Sequence, residues 1–236
     1  MPEGSSLLAV AYGNAQFAAV GLNGSTLTSR DGLNWATQNS GTSIRLSSVA
    51  YGGGQFAAVG YDPINWQGIV LTSTDGSNWV QRSEGVNSGG WAITYGDGQF
   101  VLAGLGGEIG GCGSPIQRSY DGTNWFVSAW GFSGSVIAYG GGQFVIFGST
   151  TNGSSAVLTS LDGVKWVQHP TEEGYGISGA AYGNGEFVAV GNTDNAARIV
   201  SSADGINWSI RLASEQYALF DIAYGQGEFV AVGCNH

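Results

Sequence analysis

The chain has 236 residues, of which 42 are Gly, more than double the usual share of roughly 7%. With 4 Pro and no Gly-X-Y period it is not collagen, and 42% hydrophobic residues, including 8 Trp, 10 Tyr and 10 Phe, give it a core to bury. Seven Lys and Arg against 17 Asp and Glu leave a net charge of −10, the wrong sign for neutralising phosphates, which excludes nucleic acid and anionic membrane surfaces as partners.

From the N-terminus, Met1–Ser6 lacks the basic and apolar parts of a signal peptide. A first strand is predicted over Leu8–Tyr12, a turn at Gly13–Asn14, and a second strand over Phe17–Val20. The second strand is apolar on both faces, as in a sheet covered by a neighbour on each side. Leu22–Gly24 leads to a third strand. The phrase Ser29-Arg30-Asp31-Gly32-Leu33-Asn34-Trp35 then turns the chain into a fourth. The first phrase returns at Tyr51, Tyr95, Tyr139, Tyr182 and Tyr224, at spacings of 39, 44, 44, 43 and 42 residues. The second, Ser-x-Asp-Gly-x-x-Trp, occurs at Asp31 and Trp35, Asp75 and Trp79, Asp121 and Trp125, Asp162 and Trp166, and Asp204 and Trp208. In the second copy the third strand reads Ile69–Ser73.

Four short antiparallel strands per 40 to 45 residues, with no helical period, predict an all-β fold, a β-propeller of four-stranded antiparallel blades in a single domain. The repeats run approximately 7–45, 46–89, 90–133, 134–176 and 177–218, followed by a partial 219–236. That is five full blades plus a C-terminal two-stranded element, 22 strands in all, with a six-bladed ring containing an incomplete blade as the alternative. Blades covered on both faces leave few positions for charge. In the second phrase the Asp carboxylate accepts backbone N–H groups of its own turn, Gly takes the left-handed position, and Trp plugs the hairpin. These ten Asp and Trp residues are therefore read as structural.

The second phrase resembles the Asp-box, or bacterial-neuraminidase repeat, whose pattern is Ser/Thr-x-Asp-x-Gly-x-x-Trp. Here the residue between Asp and Gly is missing in all five copies. The family includes sialidases, sortilin-like receptors, a photosystem assembly factor and many secreted or virion propellers. The resemblance implies a propeller in which this turn is structural and remote from the ligand site.

In such a blade, with strands A to D, the A–B and C–D connections share one end and are repeated almost verbatim. Length variation falls at the other end. There the B–C connections are Leu22–Gly24, Tyr61–Gly68, Leu105–Pro115, Ser149–Ala156 and Asn192–Ala197, and the D–A connections include Ser83–Gly90, Ser128–Gly134, His169–Gly176 and Leu212–Ala218. A site is expected on this diverged rim. Trp66, Trp91, Trp130, Tyr61, Phe132, Tyr175 and Tyr217 fall there, with the carboxylates Asp62, Glu84, Glu108, Glu172, Glu173, Asp194 and Glu215. From these, Tyr61, Asp62, Trp66, Trp91, Trp130, Glu172, Tyr175 and Tyr217 are the candidate ligand-binding residues. Aromatics beside carboxylates suit a glycan or a protein surface, although long loops also use aromatics as small cores of their own.

Enzymatic chemistry is poorly provided for. Within the family that the chain resembles, a sialidase-like site would require three converging arginines and an Arg-Ile-Pro motif. The six arginines are scattered through the repeats, the motif is absent, and neither His169 nor His236 has a Gly-x-Ser-x-Gly companion. Glu172-Glu173 and Asp62 keep a glycosidase as a weaker alternative. No Asp-x-Asp-x-Asp-Gly loop or Cys/His spacing implies calcium or zinc, and Cys112 and Cys234 read as free thiols. No metal and no cofactor is expected, and no run of 18 apolar residues inserts in a membrane. The expected function is a non-catalytic, lectin-like or adhesin-like propeller working extracellularly or on a virion or cell surface. The alternative is a structural or assembly protein. The partial repeat can form a truncated blade, close the seam of a five-bladed ring, or self-associate through strands 220–234.

Overall fold

A computed structural model describes residues 6–235 except 63, 65–66, 83–89, 105–113, 172–175 and 194–195. The described residues form 22 strands. Two compact units are present, Met1–Ser133 and Gly134–His236.

In the first unit, blade 1 comprises β1 (Leu7–Gly13), β2 (Gln16–Gly21), β3 (Ser25–Ser29) and β4 (Ala36–Asn39). Blade 2 comprises β5 (Arg45–Gly52), β6 (Gln55–Asp62), β7 (Gln67–Ser73) and β8 (Val80–Gln81), and blade 3 β9 (Gly90–Gly96), β10 (Gln99–Gly104), β11 (Ile116–Ser119) and β12 (Phe126–Ala129). In the second unit, blade 4 comprises β13 (Phe132–Gly140), β14 (Gln143–Thr150), β15 (Ser155–Ser160) and β16 (Val167–Pro170), of which β13 begins at the unit boundary. Blade 5 comprises β17 (Ile177–Gly183), β18 (Glu186–Thr193), β19 (Ala196–Ser202) and β20 (Ser209–Ser214), and is followed by the pair β21 (Tyr217–Gly225) and β22 (Glu228–Asn235). Every blade is an antiparallel meander in sequence order, and β21 and β22 form a two-stranded sheet. The expected five blades plus a two-stranded element are thus present.

Alternating residues serve two different neighbours. On β5, Val49 and Tyr51 pack on Ala18 and Val20 of blade 1, while Ala50 between them packs with Ile93 and Phe100 of blade 3. In the second unit, Ala189 and Val200 of blade 5 pack with Val145 and Val157 of blade 4, while Val188 and Val190 face Ile222 of β21. Burial on both faces accounts for apolar B strands such as Gln55–Asp62. Phe56, Phe100, Phe144 and Phe187, at one repeat position, are fully buried, each contributing about 2–3 kcal/mol of transfer free energy.

The A–B turn has the positive-φ residues that a tight glycine-bearing turn requires. The glycine following the repeat Tyr does not take the left-handed conformation, which falls instead on the next two residues, as at Asn14 (φ 49°) and Ala15 (φ 56°). That glycine is fixed by contact. A Cβ on Gly13 would fall 2.0 Å from Cγ of Tyr51, and one on Gly52 would fall 1.9 Å from Cγ of Tyr95. The same seat occurs at Gly140 for Tyr182 and at Gly183 for Tyr224. Within each unit, blades 1, 2, 4 and 5 therefore offer a glycine socket to the tyrosine of the element that follows. A second link runs beside it. Gln55 Nε2 donates to the carbonyl of Asp121 at 2.7 Å, and Gln143 Nε2 to that of Asp204 at 2.7 Å, with Gln16 donating to Asp75 in the same way.

The connections on the diverged rim are shorter than expected. Of Ser128–Gly134 only Trp130 and Gly131 lie between strands, and of Leu212–Ala218 only Glu215 and Gln216. Residues read as loop continue the ladders because pairing satisfies backbone groups that would otherwise need water or side chains.

Candidate functional site

Four of the five Asp turns share one geometry. Asp75 Oδ1 accepts the backbone N–H groups of Ser77 (2.9 Å) and Asn78 (2.8 Å) and the hydroxyl of Ser73 (3.0 Å), while Oδ2 accepts Asn78 Nδ2 at 2.7 Å. Trp79 Nε1 donates to the carbonyl of Gly76 at 2.8 Å, which pins the indole. Gly76 has φ 66°, where a side chain would be strained. Asp31, Asp121 and Asp204 repeat this arrangement. Their hydrogen bonds, led by the backbone N–H of the residue three positions on, hold these four carboxyls far below the usual carboxylate range. Carboxylates so held are not proton donors near neutral pH.

The fourth turn departs from this pattern. Lys165 stands where the others have Asn, and Trp166 Nε1 is buried without a hydrogen-bond partner among the described residues. The backbone N–H groups of Lys165 and Val164 lower the Asp162 carboxyl. A cavity of about 430 Å³ opens here, lined by Lys165, Thr159, Val167, His169, Ile206 and Gln143 among others. Thr159 Oγ1 and His169 Nε2 are 2.9 Å apart across its wall. Leu161 beside it is exposed. The cavity belongs to the repeated-turn end of the blades rather than the diverged rim. The missing Asn in the fourth phrase is the sequence signal that marks it.

On the diverged rim of the first unit the strands bring together residues from two blades. Arg45 opens β5 and is the register partner of Tyr61 on β6. The Arg45 guanidinium lies 4.5 Å from the ring centroid of Trp91 on β9. Trp91 occupies a β-bulge, since Gly90 pairs with Gly104 and Ala92 with Ala103. The bulged residue is unpaired and re-aimed, and Leu8, Ser47, Ser178 and Phe220 take the same place in other copies. Among the described residues Arg45 Nε is buried and lacks a hydrogen-bond partner. Asp62 follows Tyr61, and its Oδ1 accepts the N–H of Ile64 at 2.9 Å. Exposed Ile64 caps this corner.

The candidates therefore divide. Tyr61, Asp62 and Trp91 gather near Arg45, one of the six arginines that the sequence shows only as scattered through the repeats. The available signal was the position four residues before each repeat Tyr, where Trp91 sits. Trp130 is 58% exposed beside Gly131 in the first unit, and Tyr217 is exposed at the start of β21 in the second. Phe132, read as a rim aromatic, is buried. Trp66, Glu172 and Tyr175 lie outside the described residues, as do Cys112, Glu84, Glu108, Glu173 and Asp194. Cys234 is exposed and has no disulfide partner among the described residues.

No family model matches the chain. No curated protein matches it. Among solved structures, YCF48 bound to a D1 peptide is similar over 99% of this chain and 76% of that one, at 20% identity and a TM-score of 0.69. The nidogen/laminin complex is similar over 91% and 83%, at 12% identity and a TM-score of 0.62. A Trypanosoma rangeli sialidase is similar over 97% of this chain and 52% of that one, at 13% identity and a TM-score of 0.63. With the blade topology above, these likenesses show that the chain has the β-propeller fold, shared with propellers solved in complex with a peptide or a protein.

Proposed function

We propose that the chain is a non-catalytic binding propeller whose diverged rim contacts a protein or peptide. The observation that carries this reading is Arg45, whose guanidinium is stacked on Trp91 at the diverged rim. A stacked guanidinium is positioned to meet a carbonyl or carboxylate, and Arg and Trp are favoured at protein-binding hot spots. The propellers solved with a D1 peptide and with laminin support the partner class. The likeness of the five turns to the Asp-box supports an extracellular or surface-attached member of that group, with its carboxylates committed to structure. A glycan is the second reading, favoured by exposed Trp130, which can stack on a sugar face.

Peptide and glycan arrays probed with the purified chain separate the two. The expected result is peptide binding that Arg45→Ala weakens about tenfold or more, with an unchanged circular dichroism spectrum. Glycan binding lost in Trp130→Ala reverses the order. Peptide binding indifferent to Arg45 shows that the contact lies elsewhere.

A further inference from the structure

The cavity beside the fourth Asp turn has walls that depart from the repeat. It encloses about 430 Å³ between blade 4 and blade 5, and every residue that lines it belongs to the second unit. That volume falls within the range of small-molecule sites, roughly 300–1,000 Å³. Gln143, in its wall, donates through Nε2 to the carbonyl of Asp204 at 2.7 Å. A Cβ on Gly205 would fall 2.7 Å from Cγ2 of Val145, so the blade 5 turn sits hard against blade 4 immediately before Ile206. The Ile206 N–H donates to Asp204 Oδ1 at 2.9 Å, and those of Val164 and Lys165 donate to Asp162 Oδ1 at 2.8 Å each. The two turns that frame the cavity are thus held in place before any ligand arrives.

The other copies of the repeat explain the space. The third residue after the repeat Trp reaches back to a hydroxyl on strand C: Gln38 Nε2 to Thr28 at 2.9 Å, Arg82 Nε to Thr72 at 3.2 Å, and Arg211 Nε to Ser201 at 2.7 Å. In blade 4 that residue is His169, which meets Thr159 through Nε2 at 2.9 Å. Its ring is shorter than an arginine side chain and leaves volume unfilled. Lys165 is the second departure. In the other four turns the Asn at this place spends its amide on Asp Oδ2, at 2.7 or 2.8 Å. Lys165 is the only lysine in the chain, and it carries its ammonium on a long flexible stem into the cavity wall. Of the influences that lower the Asp162 carboxyl, the charge of Lys165 is the weakest, behind the backbone N–H groups and the Ser160 hydroxyl. Around this one cation the wall carries the large apolar side chains of Leu161, Val167 and Ile206.

We propose that this cavity binds a small carboxylate with an apolar body, its carboxylate paired with Lys165 and its body held between Val167 of blade 4 and Ile206 of blade 5. Apolar walls strengthen an ion pair that open water would screen, and the apolar area they cover adds to affinity. A single negative charge is the match. Lys165 supplies one positive charge, and the Asp162 carboxylate in the same wall opposes a second negative one. The site shares no residue with the rim that carries Arg45 and does not depend on the partner class proposed there.

Because Lys165 is the only lysine, the full chain labelled isotopically at lysine gives one nuclear magnetic resonance signal from within the site. Cinnamate and octanoate are each expected to shift it saturably. Cinnamamide, which keeps the shape without the charge, and inorganic phosphate, which has charge without the body, are expected to bind about tenfold more weakly or worse. Ile206→Trp, which fills the space, is expected to abolish the shift. Lys165→Asn restores the residue of the other turns and is expected to weaken cinnamate binding about tenfold or more by saturation transfer, whereas Lys165→Arg retains it. Both positions are exposed, so the variants are expected to keep the far-UV spectrum and melting temperature of the wild type; if Ile206→Trp does not fold, the two Lys165 variants decide. No saturable shift with either carboxylate overturns the proposal. Equal affinity for cinnamate and cinnamamide, or binding that survives Lys165→Asn or a folded Ile206→Trp, overturns it too.

Discussion

Gly52→Ala is expected to destabilise the protein by about 3–5 kcal/mol, and Gly225→Ala, at the same place in the repeat, by less than about 0.5 kcal/mol. At Gly52 the new Cβ would lie 1.9 Å from Cγ and within 2.3 Å of both Cδ atoms of Tyr95, so the ring must leave its seat. Tyr95 packs edge-on to Phe100 at 4.9 Å within the cluster joining blades 2 and 3, and Phe100 is fully buried. Overpacking alone costs about 1–3 kcal/mol, and an expelled aromatic also forfeits much of what a large-to-small core truncation loses. At Gly225 the space is open and the backbone is not left-handed, so the methyl group meets neither obstacle. Urea unfolding of the two variants beside the wild type measures both. Equal losses would show that the repeated glycine is held for a reason other than the tyrosine seat.

The same residue shows what the sequence could disclose. Asp31, Gly32 and Trp35 were legible because the hydrogen bonds that hold their turn fall within seven residues, from the Ser29 hydroxyl to the Trp35 indole. Gly52 was legible as glycine but not in its cause. A left-handed turn and a seat for a neighbour's ring both forbid a side chain, and recurrence does not distinguish them. Only Ala15, a non-glycine at φ 56°, hinted that the conformational demand lies later in the turn. The rim was legible as a place through its length variation. Its residues were not, because Phe132 becomes core and Trp91 turns onto Arg45 through strand register and a bulge, which depend on the partner strand. The cavity by Lys165 lay at the end read as scaffold, marked by one departure from a repeated phrase.

Asp75→Ala is expected to lower stability at neutral pH by about 1–2 kcal/mol, and to flatten the loss of stability in acid. Asp75 accepts four hydrogen bonds, from the N–H groups of Ser77 and Asn78 and the side chains of Ser73 and Asn78. Bonds to a charged acceptor are worth about 1.5–3 kcal/mol each, but this turn is half open to water, which replaces much of what is removed. Those bonds place the folded carboxyl far below its unfolded value of 3.8. A depressed carboxyl contributes stability that is present above the unfolded value and is lost as pH falls toward the folded one, because the unfolded chain takes up the proton first. The wild-type melting temperature should therefore hold from neutral pH to about 5 and fall steeply below about 4, driven by all five turns. Removing one carboxyl removes one proton from that difference. The Asp75→Ala curve should start lower, descend less steeply, and approach the wild type in strong acid. Melting temperatures between pH 2 and pH 7 decide the matter: parallel curves would mean that the carboxylate of Asp75 is not coupled to folding, and that its turn is held by Gly76 and the Trp79 indole instead.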